Sequence, residues 1–122
     1  RLAEFVPVDH AEGCLHEFVG NGTSWKETYG VRTLDVAKRL LDFGVHAPTI
    51  YFPMIVDEAL MIEPTETESK ETLDNFVNAM VDIVKRARED GESFKEAPFN
   101  TPVRRLDDVK AARELDLRYD PD

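Results

Sequence analysis

One long segment with helical periodicity constrains the fold more than any other feature of the sequence. Its apolar residues recur at intervals of three and four: Leu73, Phe76, Val77, Met80, Ile83, Val84 and Ala87. This spacing places them on one face of an α-helix. Ser69 is a favourable N-cap, and the bases Lys85, Arg86 and Arg88 suit the negative end of the helix dipole. We predict a helix over residues 69–90 that packs against a second layer.

A second, shorter amphipathic segment lies upstream. Thr33 is a favourable N-cap and Gly44 a favourable stop, which predicts a helix over residues 33–43. Its apolar residues are predicted to face inward: Leu34, Ala37, Leu40 and Leu41. Its charged residues are predicted to face outward: Asp35, Lys38, Arg39 and Asp42.

Short apolar segments bounded by turn residues predict the strands. These segments are residues 6–8, 14–19, 49–52 and 60–62. Residues 9–13 are predicted to be a turn, and residues 21–30 a polar loop. The order β-β-α-β-β-α predicts an α+β fold, a two-layer sandwich in which a small, mainly antiparallel sheet of about four strands carries both helices on one face.

The C-terminal segment differs in character, since prolines interrupt it and helical periodicity is lost. Residues 1–93 are therefore predicted to be the small α+β domain, and residues 94–122 an extended tail. Asp107 is predicted to cap one short helix in this tail, over residues 108–114. Three apolar tail residues have no obvious partner in so small a core: Phe94, Phe99 and Val103. We therefore expect the tail to dock on a domain absent from this chain.

The charge of the chain argues against several kinds of partner. Its 122 residues carry 25 acidic and 15 basic side chains, a net charge of −10. Such a balance repels phosphate backbones and anionic lipids, so we expect no nucleic acid and no membrane as partner. The single cysteine, Cys14, fits a reducing, cytoplasmic location. Because the chain begins with Arg1, we expect it to be a piece of a longer protein.

The residues alone show no reaction centre, since nucleophile-elbow, phosphate-loop and zinc spacings are missing. Cys14 and His16 fall on one side of a predicted strand and would suit an activated thiolate. A buried, structural cysteine is the favoured interpretation. His16 and Glu17 interrupt an apolar strand, which is costly without partners. They either meet a domain interface, the favoured interpretation, or line a pocket.

Two other features of the sequence are candidate binding sites. His46 lies on the predicted turn from the first helix into a strand, where it either faces a ligand or is a solvated turn residue. Three carboxylates are close together at Glu63, Glu66 and Glu68. We interpret them as the acidic approach to a helix N-terminus rather than as a metal site.

Several segments resemble the P-protein of the glycine cleavage system. They are residues 33–49 and 59–74, the strand of residues 14–18, and residues 100–107 with 110–113 in the tail. The tail is similar to the end of the second (β) subunit of the bacterial and archaeal two-subunit form. Together these segments cover most of the chain.

The resemblance implies the C-terminal small domain of a fold-type I pyridoxal-phosphate enzyme, a glycine dehydrogenase (aminomethyl-transferring). This family decarboxylates glycine and passes its aminomethyl group to the lipoyl arm of the H-protein. The implied partners are the large cofactor-binding domain of the same subunit, the other P-protein subunit, the lipoylated H-protein and the substrate glycine.

The lysines of this chain do not lie in the family's cofactor motif, so no catalytic, cofactor-binding or metal residue is assigned here. The isolated domain is expected to be inactive and not to bind pyridoxal phosphate. His46, His16 and Glu17 are the candidates for facing the cleft. The alternative is a stand-alone α+β interaction or small-ligand regulatory module.

Overall fold

The longest element is a helix that forms where its apolar periodicity predicts it. The computed structural model describes residues 1–8 and 12–118. Helix α3 spans Lys70–Glu89, and the Ser69 hydroxyl oxygen caps it by accepting the Thr72 N–H at 3.1 Å. The buried residues of α3 are Ala79, Met80, Ile83, Val84 and Ala87. Its first turns lie outside the core, because Leu73 is exposed and Phe76 is only partly buried.

The remaining regular elements are short. The other helices are α1 (Thr23–Tyr29), α2 (Thr33–Leu41) and α4 (Asp108–Arg113), and 3₁₀ turns occur at Leu2–Glu4 and Glu92–Glu96. The strands are β1 (Phe18–Asn21), β2 (Thr49–Ile50) and β3 (Ala59–Ile62).

The three strands form one antiparallel sheet in the order β1-β3-β2. Phe18 pairs with Ile62 across β1 and β3, and Thr49 pairs with Met61 across β2 and β3. Of the about four strands expected from the sequence, the segment over residues 6–8 contributes only an isolated bridge between Val8 and Gly20. The predicted turn over residues 9–13 lies partly outside the described residues.

One hydrophobic core joins the sheet to both long helices. Leu60 and Ile62 lie two residues apart on β3 and therefore point to the same face of the sheet. They share a buried cluster with helix residues that include Val36, Leu40, Met80 and Ile83. Helices α2 and α3 therefore pack side by side on one face of the sheet, which confirms the predicted α+β architecture.

Helix α2 is rotated relative to the prediction and starts differently. Its N-cap is Arg32 rather than Thr33, and the Asp35 carboxylate accepts the Arg32 N–H at 3.0 Å. Leu41 is exposed, so its predicted burial was wrong. Asp35 is buried instead, because Arg105 of the tail donates to it at 2.6 Å. The tail covers the side of α2 that was expected to face solvent.

Helix α1 lies where a polar loop was predicted. Trp25 anchors it with 2% of its surface exposed, and the indole N–H donates to the Phe5 carbonyl at 3.3 Å. Gly30, with φ of 70°, ends the helix in the left-handed conformation. At Gly22 a Cβ would lie 2.5 Å from the Thr33 hydroxyl, so the close approach of this turn to α2 requires glycine.

The start of the tail belongs to the core of this domain. Phe94 is 2% exposed, so the expectation that it needs another domain was wrong. After α3 the chain passes close to the end of α1, since a Cβ at Gly91 would lie 2.2 Å from the Tyr29 carbonyl oxygen. Phe99 and Val103 are exposed, as expected.

The far end of the tail packs little against this domain. Asp107 caps α4 as predicted, accepting the Lys110 N–H at 2.8 Å, and α4 has no buried residue. The domain boundary at residue 93 and the docking of the tail stay predictions, and residues 119–122 lie outside the described part. Within residues 1–8 and 12–118, no helix has both the length and the hydropathy of a membrane span.

Candidate functional site

An open groove of about 1050 Å³ lies between the α2–β2 connection and helix α3. Residues 43–49 form one wall, and Phe76 and Ala79 of α3 contribute to the other. Met61 and Ile62, at the end of β3, contribute to the lining between them. The apolar start of α3 thus lines the groove instead of entering the core, which is why Leu73 and Phe76 keep solvent exposure.

His46 lies in the wall of this groove, on the connection between α2 and β2. Its side chain is exposed, so a bound molecule has access to it. Glu63 and Glu68 also line the groove, and Asp82 does so while bonded to Arg86 at 2.8 Å. Among the described residues no group of three or more His, Cys, Asp or Glu is placed to hold a metal ion.

The other two sequence candidates lie elsewhere. His16 and Glu17 precede β1 rather than lying within it, and they are not among the residues that line the groove. They contact each other instead, with His16 Nε2 and Glu17 Oε2 3.8 Å apart. Cys14 is exposed, so the favoured interpretation of a buried cysteine was wrong. The strand predicted over residues 14–19 begins only at Phe18 in the structure. The apolar Leu15 precedes it and is fully exposed.

A buried carboxylate that sequence reasoning missed organises the opposite end of the sheet. Glu58, 2% exposed, accepts the Thr33 N–H at 2.9 Å. Lys26 Nζ lies 3.1 Å and Arg32 Nε 3.3 Å from its Oε1. The Glu58 carbonyl in turn accepts the Thr33 hydroxyl at 2.7 Å and the Gly22 N–H at 2.9 Å. Glu58 therefore ties β3 to the start of both α1 and α2.

The electrostatics of Glu58 follow from these contacts. Burial by itself would raise its pKa, but the Thr33 N–H, Lys26 and Arg32 together hold the pKa below its usual range. The neighbouring Tyr51 ring lies under Arg32, with 5.3 Å between the guanidinium carbon and the ring centroid. Burial, and then the Glu58 charge, raise the pKa of Tyr51. Each of these groups stays in its ordinary charge state at neutral pH, which suits a structural role.

Pyridoxal phosphate requires a lysine that forms a Schiff base. No lysine is among the residues that line the groove. Lys26 forms ion pairs with Glu58 and Asp57. Lys70 and Lys95 form ion pairs with acidic neighbours on the surface. The residues present therefore do not fit the cofactor by themselves.

The structure is a small α+β domain with an open groove, and no lysine is among the residues that line this groove. The model of the glycine dehydrogenase C-terminal domain family matches residues 4–102. The chain therefore belongs to this family.

Similar proteins from several bacteria are also named as glycine dehydrogenases. A protein from Kosmotoga olearia is 54% identical over 121 residues, 99% of this chain and 25% of that protein. Proteins from Chlorobium phaeovibrioides and Caldanaerobacter subterraneus are both 63% identical, over 96% and 98% of this chain and 24% of each relative. All three are named probable glycine dehydrogenase (decarboxylating) subunit 2. The chain thus spans about a quarter of the length of these relatives.

Proposed function

We propose that this chain is the C-terminal domain of subunit 2 of a pyridoxal-phosphate-dependent glycine decarboxylase. The family match over residues 4–102 carries this proposal. The complete enzyme would decarboxylate glycine and transfer the aminomethyl group to the lipoyl arm of the H-protein. The same match favours this role over a stand-alone regulatory module.

The groove supports a specific contribution of the domain. The apolar side chain of Phe76 contributes to one of its walls, and the other wall carries the exposed imidazole of His46. Packed against a larger domain, such a surface would exclude water from one side of a cleft and offer one imidazole as a hydrogen-bonding group. The lysine and the phosphate-binding groups would come from the remaining three quarters of the subunit.

The proposed partners are the large domain of subunit 2, the second P-protein subunit and the lipoylated H-protein. We also place the enzyme in the cytoplasm, and the exposed thiol of Cys14 supports a reducing compartment. The tail beyond Arg105 is proposed to dock on the rest of the enzyme. Its uncovered apolar side chains support this: Leu106, Val109, Leu115 and Leu117.

The direct test is release of carbon dioxide from carboxyl-labelled glycine. A complete subunit 2 that contains this domain, combined with its partner subunit and lipoylated H-protein, should release label in a reaction that depends on H-protein. Omitting subunit 2 is the control. Absence of glycine-dependent release from a folded, cofactor-loaded complex would contradict the proposal.

A further inference from the structure

The connection between β2 and β3, residues 51–58, exposes three large apolar side chains in succession around a turn. Phe52 is 54% exposed, Met54 89% and Ile55 90%. No charged residue occurs between Tyr51 and Val56. An uncharged apolar patch of this kind on an otherwise acidic domain marks a surface that a partner covers.

The structure holds this loop in place at both ends. Tyr51 and Glu58 both have positive φ, 58° and 49°, a conformation that residues other than glycine adopt only when their surroundings impose it. The Tyr51 N–H donates to the Ala59 carbonyl at 2.9 Å, and the Tyr51 ring lies under Arg32. At the other end, the Glu58 carboxylate is buried against Thr33.

Contacts within the loop fix its tip as well. The Val56 N–H donates to the Pro53 carbonyl at 3.0 Å, closing the turn that carries Met54 and Ile55. The Thr23 hydroxyl donates to the Asp57 carbonyl at 3.3 Å, linking the loop to α1. The backbone that carries Phe52, Met54 and Ile55 is therefore held in place, and a partner that covers these side chains need not order the loop first. We call these three residues the apolar tip.

We propose that the apolar tip docks on an uncharged apolar surface of the part of subunit 2 that precedes this domain. The inference rests on the proposed function, because it requires the chain to be joined to a longer subunit. Relatives are about four times as long, and the matched family is a C-terminal domain. Two surfaces within one chain meet at effective concentrations in the millimolar range, so even a small apolar contact is occupied.

The charges around the tip agree with this occupant. Lys26 and Arg32 contact the loop, but both are already paired with Glu58, and Lys26 is also paired with Asp57. Among the described side chains, the loop therefore offers no unpaired cation to a negatively charged partner. An apolar partner surface matches what is left exposed.

The test is hydroxyl-radical footprinting of the complete subunit 2, alone in solution, because methionine oxidation follows solvent access. Met54 should be oxidised about fivefold or more slowly than in the denatured subunit. The buried Met80 serves as the internal control for folding. Rapid oxidation of Met54 while Met80 stays protected would overturn the proposal. Protection of Met54 only after the partner subunit or the H-protein is added would overturn it too, since the occupant would then be another chain.

A pair of variants makes the assignment specific. Ile55→Asp should restore rapid oxidation of Met54 and lower the melting temperature of the complete subunit, while Met80 stays protected. Thr67→Asp adds the same charge at an exposed loop position and should leave both readouts unchanged. Equal behaviour of the two variants would overturn the proposal. Glycine-dependent release of carbon dioxide is measured separately. A subunit that lacks the proposed activity is thereby distinguished from one in which the apolar tip is exposed to solvent.

Discussion

Replacement of Glu58 by alanine should lower the free energy of unfolding by about 2–4 kcal/mol. The substitution leaves the buried Thr33 N–H without its acceptor, which costs about 1–3 kcal/mol. Loss of the buried aliphatic part of the side chain adds about 1 kcal/mol. The pairs with Lys26 and Arg32 contribute little, because both cations are about half exposed and solvent screens them. Alanine and glutamate share the cost of positive φ at this position, so the difference reports the side chain.

Urea denaturation followed by the fluorescence of Trp25, the single tryptophan, measures this loss close to its origin. Asp57→Ala is the matched control, since Asp57 is adjacent, 72% exposed in its side chain and also near Lys26. Glu58→Gln should fall between the two, because its amide oxygen still accepts the Thr33 N–H. A loss in Glu58→Ala no larger than that in Asp57→Ala would refute the reasoning.

Three further outcomes are expected. Hydrogen bonds hold the pKa values of Glu58 and Asp42 below their usual range despite burial. Both carboxylates therefore stabilise the folded state fully above the unfolded pKa of about 4, and this stabilisation is lost as the pH falls through the folded pKa values. Denaturation midpoints measured from pH 7 to 3 should show this decline, and Glu58→Ala should flatten it. Met80→Ala should cost about 2–5 kcal/mol in urea denaturation, and Phe76→Ala less, because Phe76 is only partly buried; equal losses would contradict the packing. His46→Asn in the complete enzyme should slow glycine decarboxylation about tenfold and leave the melting temperature unchanged. Full activity of this variant would show that His46 has no role in the reaction.

Patterns local in sequence predicted the long elements well. The stripe of α3, its Ser69 cap and the Asp107 cap of α4 each depend on residues within a few positions of one another. The same holds for the location of His46 on the connection between a helix and a strand, which the structure shows between α2 and β2. The family resemblance rested on such contiguous segments too.

Features that depend on distant residues were missed. Helix α1 has one buried residue, Trp25, and so shows no periodicity. Glu58 occurs in an acidic pair beside an apolar strand, and only the folded chain brings the Thr33 N–H, 25 positions away, to its carboxylate. The burial of Asp35 likewise requires Arg105, 70 positions away. No local spacing encodes these contacts.

Borohydride trapping of pyridoxal phosphate on the complete subunit, followed by peptide mapping, shows which domain carries the cofactor lysine. We expect one stoichiometric phosphopyridoxyl-lysine outside the region that corresponds to residues 1–122. The six lysines of this domain should carry no more label than surface lysines elsewhere in the subunit. A stoichiometric adduct on any one of them, such as Lys26, would show that this domain carries the catalytic lysine itself and would refute the proposed division of roles between the domains.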